Sequence, residues 1–486
     1  MEALMIGVSG MRGTIGGTLT PAVVSRMAAA FGAWLKANEK PANGTHFRVV
    51  VGRDSRPSGF WVRDAAASAL AASGVEVLDL EIVTTPAVAM MVKHTGADAG
   101  VVITASHNPI QWNGLKFLSR DQLALPPEHA KQVKQFYEEQ RTAFVPVQQL
   151  VAPGRADPVP LPRAASRPDL ASLLTAPTRN SETNALHVKR TLDYVDVLGI
   201  STKRFKVVLD SVNGAGCVEG AMLLGKLGCE LIHMNATPNG QFAHEPEPIE
   251  KNLTGLSDEV RRQRAAVGFA QDPDADRLAI VDETGKFIGE EYSLALAAKL
   301  ILSKKPGGVA AANLSTSRMI DDIAAQHGGR VVRTPVGEAN VVQAMLREHA
   351  VIGGEGNGGV IDPRIVPGRD SLVAMAYLLQ LMASSGKSVS QLVAELPRYE
   401  IVKHKFECRR EDAERAVEAL KKEFASEKVD TQDGIRIDWA SQRAWVHARP
   451  SNTEPIMRII AEAPDRAEAE QRVAGVRKVV DEALGQ

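Results

Sequence analysis

The chain has 486 residues, 44% of them hydrophobic and 24% charged, and its 57 Lys plus Arg nearly cancel 58 Asp plus Glu. That length exceeds one ordinary core, so several domains are expected. A net charge of −1 gives no global electrostatic reason to expect nucleic acid or an anionic membrane as partner, and neither is expected.

The N-terminal "MEALMIGVSGMRG" has no basic segment followed by a long apolar core, so no signal peptide is expected. Three cysteines, Cys217, Cys229 and Cys408, are few and odd in number. They fit buried thiols in a reducing compartment better than a disulfide framework. The apolar run "LVAMAYLLQLMA" is too short to span a bilayer. A cytoplasmic protein is expected.

From about Arg48 one template recurs three times. "RVVVGRDSRPSG", "KVVLDSVNGAG" and "GGVAAANLSTSR" each read as a strand and a small polar loop. A helix, a Gly turn and a second strand ending in Thr-Pro follow, at Thr85-Pro86, Thr237-Pro238 and Thr334-Pro335. Each copy then predicts another helix, a short apolar strand and an unusual loop: "TASHNP", "DPDADR" and "GEGNGG". Strand–helix alternation with β-branched strands predicts three related α/β domains with mixed, largely parallel sheets. Ligands of open α/β sheets bind beyond the carboxyl ends of strands, so the three loops are expected to share one cleft.

The expected bounds are domain I at 1–150, a Pro-rich connector at 151–185, domain II at 186–286 and domain III at 287–398. Domain IV, at 399–486, departs from the template and reads as a smaller C-terminal α+β domain with its own loop, "RPSNTEP".

In "DPDADR", Asp272, Asp274 and Asp276 alternate with Pro273 and Ala275. Alternate side chains of an extended loop point the same way, so three carboxylates crowd together and call for a cation. Hard oxygen ligands at this spacing suit Mg²⁺. An EF-hand is rejected: Glu283 stands at the twelfth position, but Arg277 occupies the sixth, where Gly is needed. Arg277 is placed to restrain the carboxylates or touch a phosphate.

In "TASHNP", Ser106 needs a base or a metal to react. Facing the acidic loop, Ser106 or a phosphate on it would complete the metal's ligand set. Lys116 follows with a positive charge or a proton. The G-x-S-x-G hydrolase signature is absent. The glycines of "GEGNGG" allow close approach to a ligand, and Glu355 and Asn357 suit sugar hydroxyls. Arg449, Ser451, Asn452 and Thr453 of "RPSNTEP" suit a phosphate, without the Walker pattern of nucleotide triphosphate sites.

Together and in this order, the four loops resemble those of the α-D-phosphohexomutase superfamily, over nearly the whole chain. "GMRG", at 10–13, resembles its N-terminal Arg signature. The resemblance implies four domains around a central cleft, Mg²⁺, and a serine that carries a phosphoryl group. It assigns Ser106 as phosphoserine and Asp272, Asp274 and Asp276 as metal ligands beside it. Arg12 and Lys116 would assist transfer, with Arg277 near the same centre. Glu355 and Asn357 would hold sugar hydroxyls, and Arg449, Ser451, Asn452 and Thr453 the substrate's phosphate.

The implied reaction has two steps, through a hexose bisphosphate that reorients while domain IV opens and closes. Many bacterial members end the sugar loop in Ser-Gly-His, whereas this chain has Asn357-Gly358-Gly359. That leaves His107 or Lys116 as proton carrier. The "GEGNGG" form resembles archaeal-type members, linked to phosphoglucosamine or to mixed phosphoglucose and phosphomannose activity. Phosphoglucosamine mutase is the expectation, with phosphoglucomutase/phosphomannomutase as alternative. A metal-dependent sugar phosphatase and a non-catalytic sugar-phosphate sensor are the rivals from other classes. The partners expected are a hexose phosphate and a hexose bisphosphate, bound to a monomer or homodimer.

Overall fold

A computed structural model describes residues 4–7, 10–42, 44–144, 179–451 and 456–485. The first sheet holds β1 (Met5–Gly7), β2 (Gly10–Thr14), β3 (Arg48–Arg53), β4 (Glu76–Ile82), β5 (Ala99–Ile103) and β6 (Trp112–Ser119). Their order is β1-β2-β6-β5-β3-β4. The valine-rich β3 runs parallel to β4 and β5, and β6 reverses against β5. Alternation along β3 sends Val49 and Val51 into one core and Val50 into another. Helices α1 (Pro21–Asn38), α2 (Gly59–Ala72) and α4 (Pro127–Glu138) cover the first face, and α3 (Thr85–His94) covers the second.

The second sheet holds β7 (Lys206–Asp210), β8 (Glu230–Met234), β9 (Val267–Gln271) and β10 (Leu278–Val281), in the order β10-β9-β7-β8. The third holds β11 (Val309–Asn313), β12 (Arg330–Thr334), β13 (Ile352–Glu355) and β14 (Gly359–Ile361), in the order β12-β11-β13-β14. Both repeat the β6-β5-β3-β4 part of the first sheet. A central strand lies parallel to two neighbours, and the fourth strand returns antiparallel. The threefold template is therefore a repeated topology.

Domain II carries α5 (Arg179–Leu192), α6 (Val197–Ser201), α7 (Gly216–Lys226) and α8 (Thr254–Gln263). Domain III carries α9 (Tyr292–Lys304), α10 (Met319–Gln326), α11 (Glu338–Glu348), α12 (Ser371–Ser385) and α13 (Val389–Ala394). The last sheet, in the order β15-β19-β18-β17-β16, is antiparallel throughout. Its strands are β15 (Glu400–Glu407), β16 (Lys428–Asp430), β17 (Ile435–Trp439), β18 (Ala444–Pro450) and β19 (Ile456–Ala463). Helices α14 (Arg410–Glu423) and α15 (Arg466–Leu484) close its core, which makes the expected α+β domain.

Several details differ from the sequence reading. Thr85-Pro86 opens a helix rather than ending a strand. The Thr84 side chain accepts from Ala87 N, and proline fits the first turn, where its missing N–H costs nothing. After Thr237-Pro238 no α-helix forms until Thr254, because Pro238, Pro246 and Pro248 interrupt the chain. The connector expected at 151–185 lies outside the described residues up to 178, and position 186 falls inside α5.

Domains II and III also share one continuous apolar core, from Val207 and Leu209 through α9 to α12. Helix α12, the apolar run of the sequence, is buried from Ser371 to Met382. An all-round apolar helix belongs inside. Among the described residues no helix is long and apolar enough to cross a membrane. All three cysteines are free thiols, Cys217 and Cys408 buried.

A charged group ties the three repeated domains together. His187 of α5 lies fully buried, with Nδ1 2.9 Å from Glu219 of α7 and Nε2 2.7 Å from Asp370, the N-cap of α12. Thr84 of domain I donates to the same Glu219 at 2.8 Å. Burial opposes the charged imidazole, yet Asp370 and Glu219 push it up to about 10. A raised histidine stabilises fully below its unfolded value of 6.5 and loses that effect as pH climbs through 10. His187→Gln is therefore expected to lower the melting temperature most near neutral or acid pH. The gap to the unaltered chain should narrow as pH rises, and thermal unfolding of both across that window checks it. A constant gap contradicts the assignment.

Candidate active site

The three unusual loops leave the same place in their sheets: β5 to β6, β9 to β10 and β13 to β14. Each turns through one left-handed residue, Ser106 (φ 51°), Ala275 (φ 56°) and Gly358 (φ 88°). For a serine or an alanine that conformation costs roughly 1–3 kcal/mol and persists only where its surroundings enforce it.

At Ser106 the enforcement is visible. Its N–H donates to Thr104 Oγ1 at 2.8 Å, and its carbonyl accepts from Arg56 Nη2 at 2.7 Å. Arg56 is fully buried. Its guanidinium also donates to the carbonyls of Asn108 (2.6 Å), Pro109 (2.7 Å) and Trp112 (3.1 Å), and to Asp54 Oδ2 (3.0 Å). Asp54 in turn accepts from Thr104 Oγ1 at 2.7 Å. One side chain thus fixes the whole serine loop. The Ser106 hydroxyl, buried with its residue at 1% exposure, donates to Asp272 Oδ2 at 3.1 Å and lies 3.3 Å from His107 Nδ1.

The three aspartates gather, each fully buried, with oxygens within 4.8 Å of one another, but through a turn rather than the expected extended loop: Ala275 N donates to Asp272 O at 2.9 Å. Such crowding is unfavourable without positive charge. Lys116 Nζ supplies some, 2.9 Å from Asp274 Oδ2 and 3.6 Å from Asp276 Oδ2. Arg369 Nη2 donates to Asp276 Oδ2 at 2.6 Å, Thr85 Oγ1 to Asp274 Oδ2 at 2.6 Å, and Arg277 N to Asp272 Oδ1 at 3.1 Å.

Burial, then Asp276 and Asp274, raises the Asp272 carboxyl well above the usual range. Burial acts the same way on Asp274, but Lys116 and the Thr85 hydroxyl hold it below. Asp274 Oδ1 and Asp276 Oδ1 are buried without a hydrogen-bond donor. Buried polar atoms normally have a partner, and two such oxygens in one acidic cluster fit a divalent cation.

Arg12 stands on β2 opposite Gly114 of β6. Burial lowers its pKa, while Asp274 and Asp276 act to keep its charge. Burial, then Arg277 and Arg12, pushes the His107 imidazole down to about 2, so that ring is neutral. Asp274 and Asp276 outweigh burial at Lys116 and raise it, so the amine is an ammonium.

Glu355 ends β13. Its Oε1 accepts from Asn313 Nδ2 (2.8 Å) and Gly337 N (3.1 Å), and its Oε2 from Arg369 Nη1 (3.1 Å) and Asn357 Nδ2 (3.4 Å). Burial opposes ionisation, but Arg369 and Asn313 keep Glu355 a carboxylate. Leu278 N, beyond the metal loop, donates to Gly358 O at 3.0 Å and joins the two loops.

The structure therefore brings Ser106, His107, Lys116, Arg12, Arg277, the three aspartates, Glu355 and Asn357 into one connected network. Arg449 belongs to a second group. Its Nε lies 2.8 Å from Asp433 Oδ2, which also accepts from Val336 N of domain III at 3.0 Å. Ser451 N closes the loop base by donating to Ile456 O at 2.8 Å. Asn452 and Thr453 lie outside the described residues.

Sequence reasoning missed Asp54, Arg56, Thr85, Arg369 and Asp433. One signal was present: "GRDS" occurs twice, at 52–55 and 368–371, and both copies feed this network.

Comparison with known proteins shows the family. Family models described as phosphoglucomutase/phosphomannomutase alpha/beta/alpha domains I, II and III match residues 3–144, 185–285 and 289–399. The model of the C-terminal domain matches 405–479. A phosphoglucomutase/phosphomannomutase of Thermococcus kodakarensis is 36% identical, covering 99% of each chain. A protein of Methanopyrus kandleri named "Probable phosphoglucosamine mutase" is 36% identical, covering 97% of this chain and 95% of its own. Among solved structures, a phosphoglucomutase/phosphomannomutase family protein from Burkholderia thailandensis superposes with a TM-score of 0.80 at 25% identity, covering 99% of this chain and 97% of that one. The chain belongs to the phosphoglucomutase/phosphomannomutase family of the phosphohexomutase superfamily and is an isomerase.

Proposed function

We propose that the chain is a phosphoglucosamine mutase, interconverting glucosamine 6-phosphate and glucosamine 1-phosphate. The observation that carries this reading is the acidic lining of the sugar loop. Glu355 is held ionised in a buried place and Glu338 accepts from Arg369 at 2.7 Å, beside the Glu291 carboxyl, which burial pushes up to about 8 and so keeps protonated at neutral pH. Carboxylates around a sugar loop favour a sugar that carries an ammonium. Relatives named phosphoglucosamine mutase support the same reading. The second reading, phosphoglucomutase/phosphomannomutase, is favoured by a relative of that name at equal identity.

In the proposed site Ser106 carries the phosphoryl group. Asp272, Asp274 and Asp276, with an oxygen at Ser106, would hold Mg²⁺, which when bound supplies charge stabilisation to the transferring group. A sugar hydroxyl bonds to phosphorus, the P–Oγ bond breaks, and the proton lost by the hydroxyl balances the one that Ser106 Oγ takes up. So loose a transfer needs positioned cations more than a strong base. Lys116, Arg12 and Arg277 supply them, while the neutral His107, with Nδ1 3.3 Å from Ser106 Oγ, lies beside the carrier oxygen and orients it. Glu355 and Asn357 bind sugar hydroxyls. Arg449, Ser451, Asn452 and Thr453 bind the phosphate that is not in transfer, and the bisphosphate reorients before Ser106 takes back the other group.

The test is turnover of glucosamine 6-phosphate, glucose 1-phosphate, mannose 1-phosphate and N-acetylglucosamine 6-phosphate, with Mg²⁺ and a trace of hexose bisphosphate. Glucosamine 6-phosphate should give the highest kcat/KM, and acetylation, which removes the ammonium, should lower it. Preference for glucose or mannose phosphate selects the second reading. Release of inorganic phosphate without an isomer would mark a phosphatase.

A further inference from the structure

Arg369 is a large charged side chain set among the site's carboxylates, and the proposed roles above leave it without a function. It stands just before the N-cap of α12, with 11% of its side chain exposed. Its guanidinium bonds three carboxylates from three different segments: Asp276 of the metal loop (2.6 Å), Glu355 of the sugar loop (3.1 Å) and Glu338 of α11 (2.7 Å). The side chain runs over Gly359. A Cβ built on that glycine would lie 2.2 Å from Arg369 Cδ and 2.8 Å from its Cγ, closer than real Cβ contacts come. The bare glycine at the end of "GEGNGG" and the arginine ten residues later therefore occupy one space between them. A planar fork reaches two carboxylates at once in a way that a lysine ammonium does not.

We propose that Arg369 is the positioning residue that locks the sugar loop to the metal loop. By holding Glu355 and Asp276 together in the space left by Gly359, it sets the direction in which Glu355 presents its oxygens to the sugar. This rests on the reading of Glu355 as a sugar ligand. Every oxygen of Glu355 already accepts from the protein, with Arg369 and the long 3.4 Å contact from Asn357 sharing Oε2. The sugar displaces the weaker donor, Asn357, while Arg369 keeps the carboxylate in place.

The experiment uses Arg369→Met, Arg369→Lys, Gly359→Ala and Glu355→Gln in the full chain. The readouts are kcat and KM for the preferred sugar phosphate, Mn²⁺ binding by electron paramagnetic resonance without sugar, and melting temperature. Arg369→Met is expected to raise KM by roughly 10–100-fold, the usual range for a residue that orients a ligand. Mn²⁺ binding should be retained or tightened, because Asp276 Oδ2 loses a competing donor.

Arg369→Lys keeps a charge without the fork and should leave KM raised. Gly359→Ala should act in the same direction by expelling the guanidinium. Combined with Arg369→Met it should add little, since both remove one interaction. Unchanged KM in Arg369→Met overturns the proposal. So does joint loss of Mn²⁺ binding and melting temperature, which marks general collapse. Unchanged KM in Glu355→Gln sinks the reading of Glu355 itself. A raised KM there with normal KM in Arg369→Met sinks the positioning role alone.

Discussion

Ser106→Ala is expected to lower isomerase turnover by about 10⁴-fold or more, because it removes the proposed phosphoryl carrier, whose hydroxyl sits against Asp272 of the acidic cluster. Intact-mass measurement after incubation with hexose bisphosphate should show a phosphate on the unaltered chain and none on Ser106→Ala. A modified mass that persists in the variant removes Ser106 as carrier. Stability should behave differently from activity. Alanine keeps a side chain in the left-handed region at φ 51°, whereas glycine does not. Ser106→Gly should therefore be just as inactive yet more stable than Ser106→Ala, by at most about 1 kcal/mol. Comparative denaturation of the two variants reads that difference directly, and a less stable glycine variant argues against strain at this residue.

The second large effect is expected at Arg56, on stability and activity together. Arg56→Met removes the donor of four loop carbonyls and leaves Asp54 fully buried without its cation. Breaking such a buried pair by removing one partner costs about 3–5 kcal/mol. Turnover should also fall by roughly 10²-fold, the cost of a misplacement of about 1 Å at the reacting atom. Adding Asp54→Asn should restore part of the stability, since the uncompensated charge disappears. It should restore little activity, since the carbonyls still lack their donor. Urea unfolding and turnover of the single and double variants test both halves. Full recovery of activity in the double variant would show that Arg56 serves only to neutralise Asp54.

The repeat was legible in the sequence because its strands are short apolar runs, valine-rich in β3 and β7 and alanine-rich in β11, and its turns are marked by Gly and Thr-Pro. Those local signals survive folding: β3, β7 and β11 all lie where the template put them. The four loops were legible for a related reason, since each breaks abruptly from an apolar strand into side chains that a plain turn does not need.

What escaped was long-range. Arg56 and Arg369 act by reaching across the chain, and the residues they touch are set by sheet packing that no short window contains. The joined core of domains II and III escaped because α12 is apolar on every side and so points to no single partner. Proline-rich spacing hid the missing helix after Thr237, where a template invited one. Glu355 was legible as a carboxylate but not as one already carrying four donors.

The recurrence of one hairpin position in three sheets bears on how an enzyme of this build changes. The first hairpin carries the serine, the second the acidic cluster and the third Glu355 and Asn357, the proposed sugar contacts. Each is a separate loop on a repeated strand order. On the proposed reading, a substitution in the third shifts sugar preference while the reacting centre, shared by the first two, stays where it was. Arg369 is the exception to that modularity. Through its grip on Asp276 and Glu355, a side chain added at position 359 is felt at the metal loop, so at Gly359 the third hairpin does not vary independently of the second.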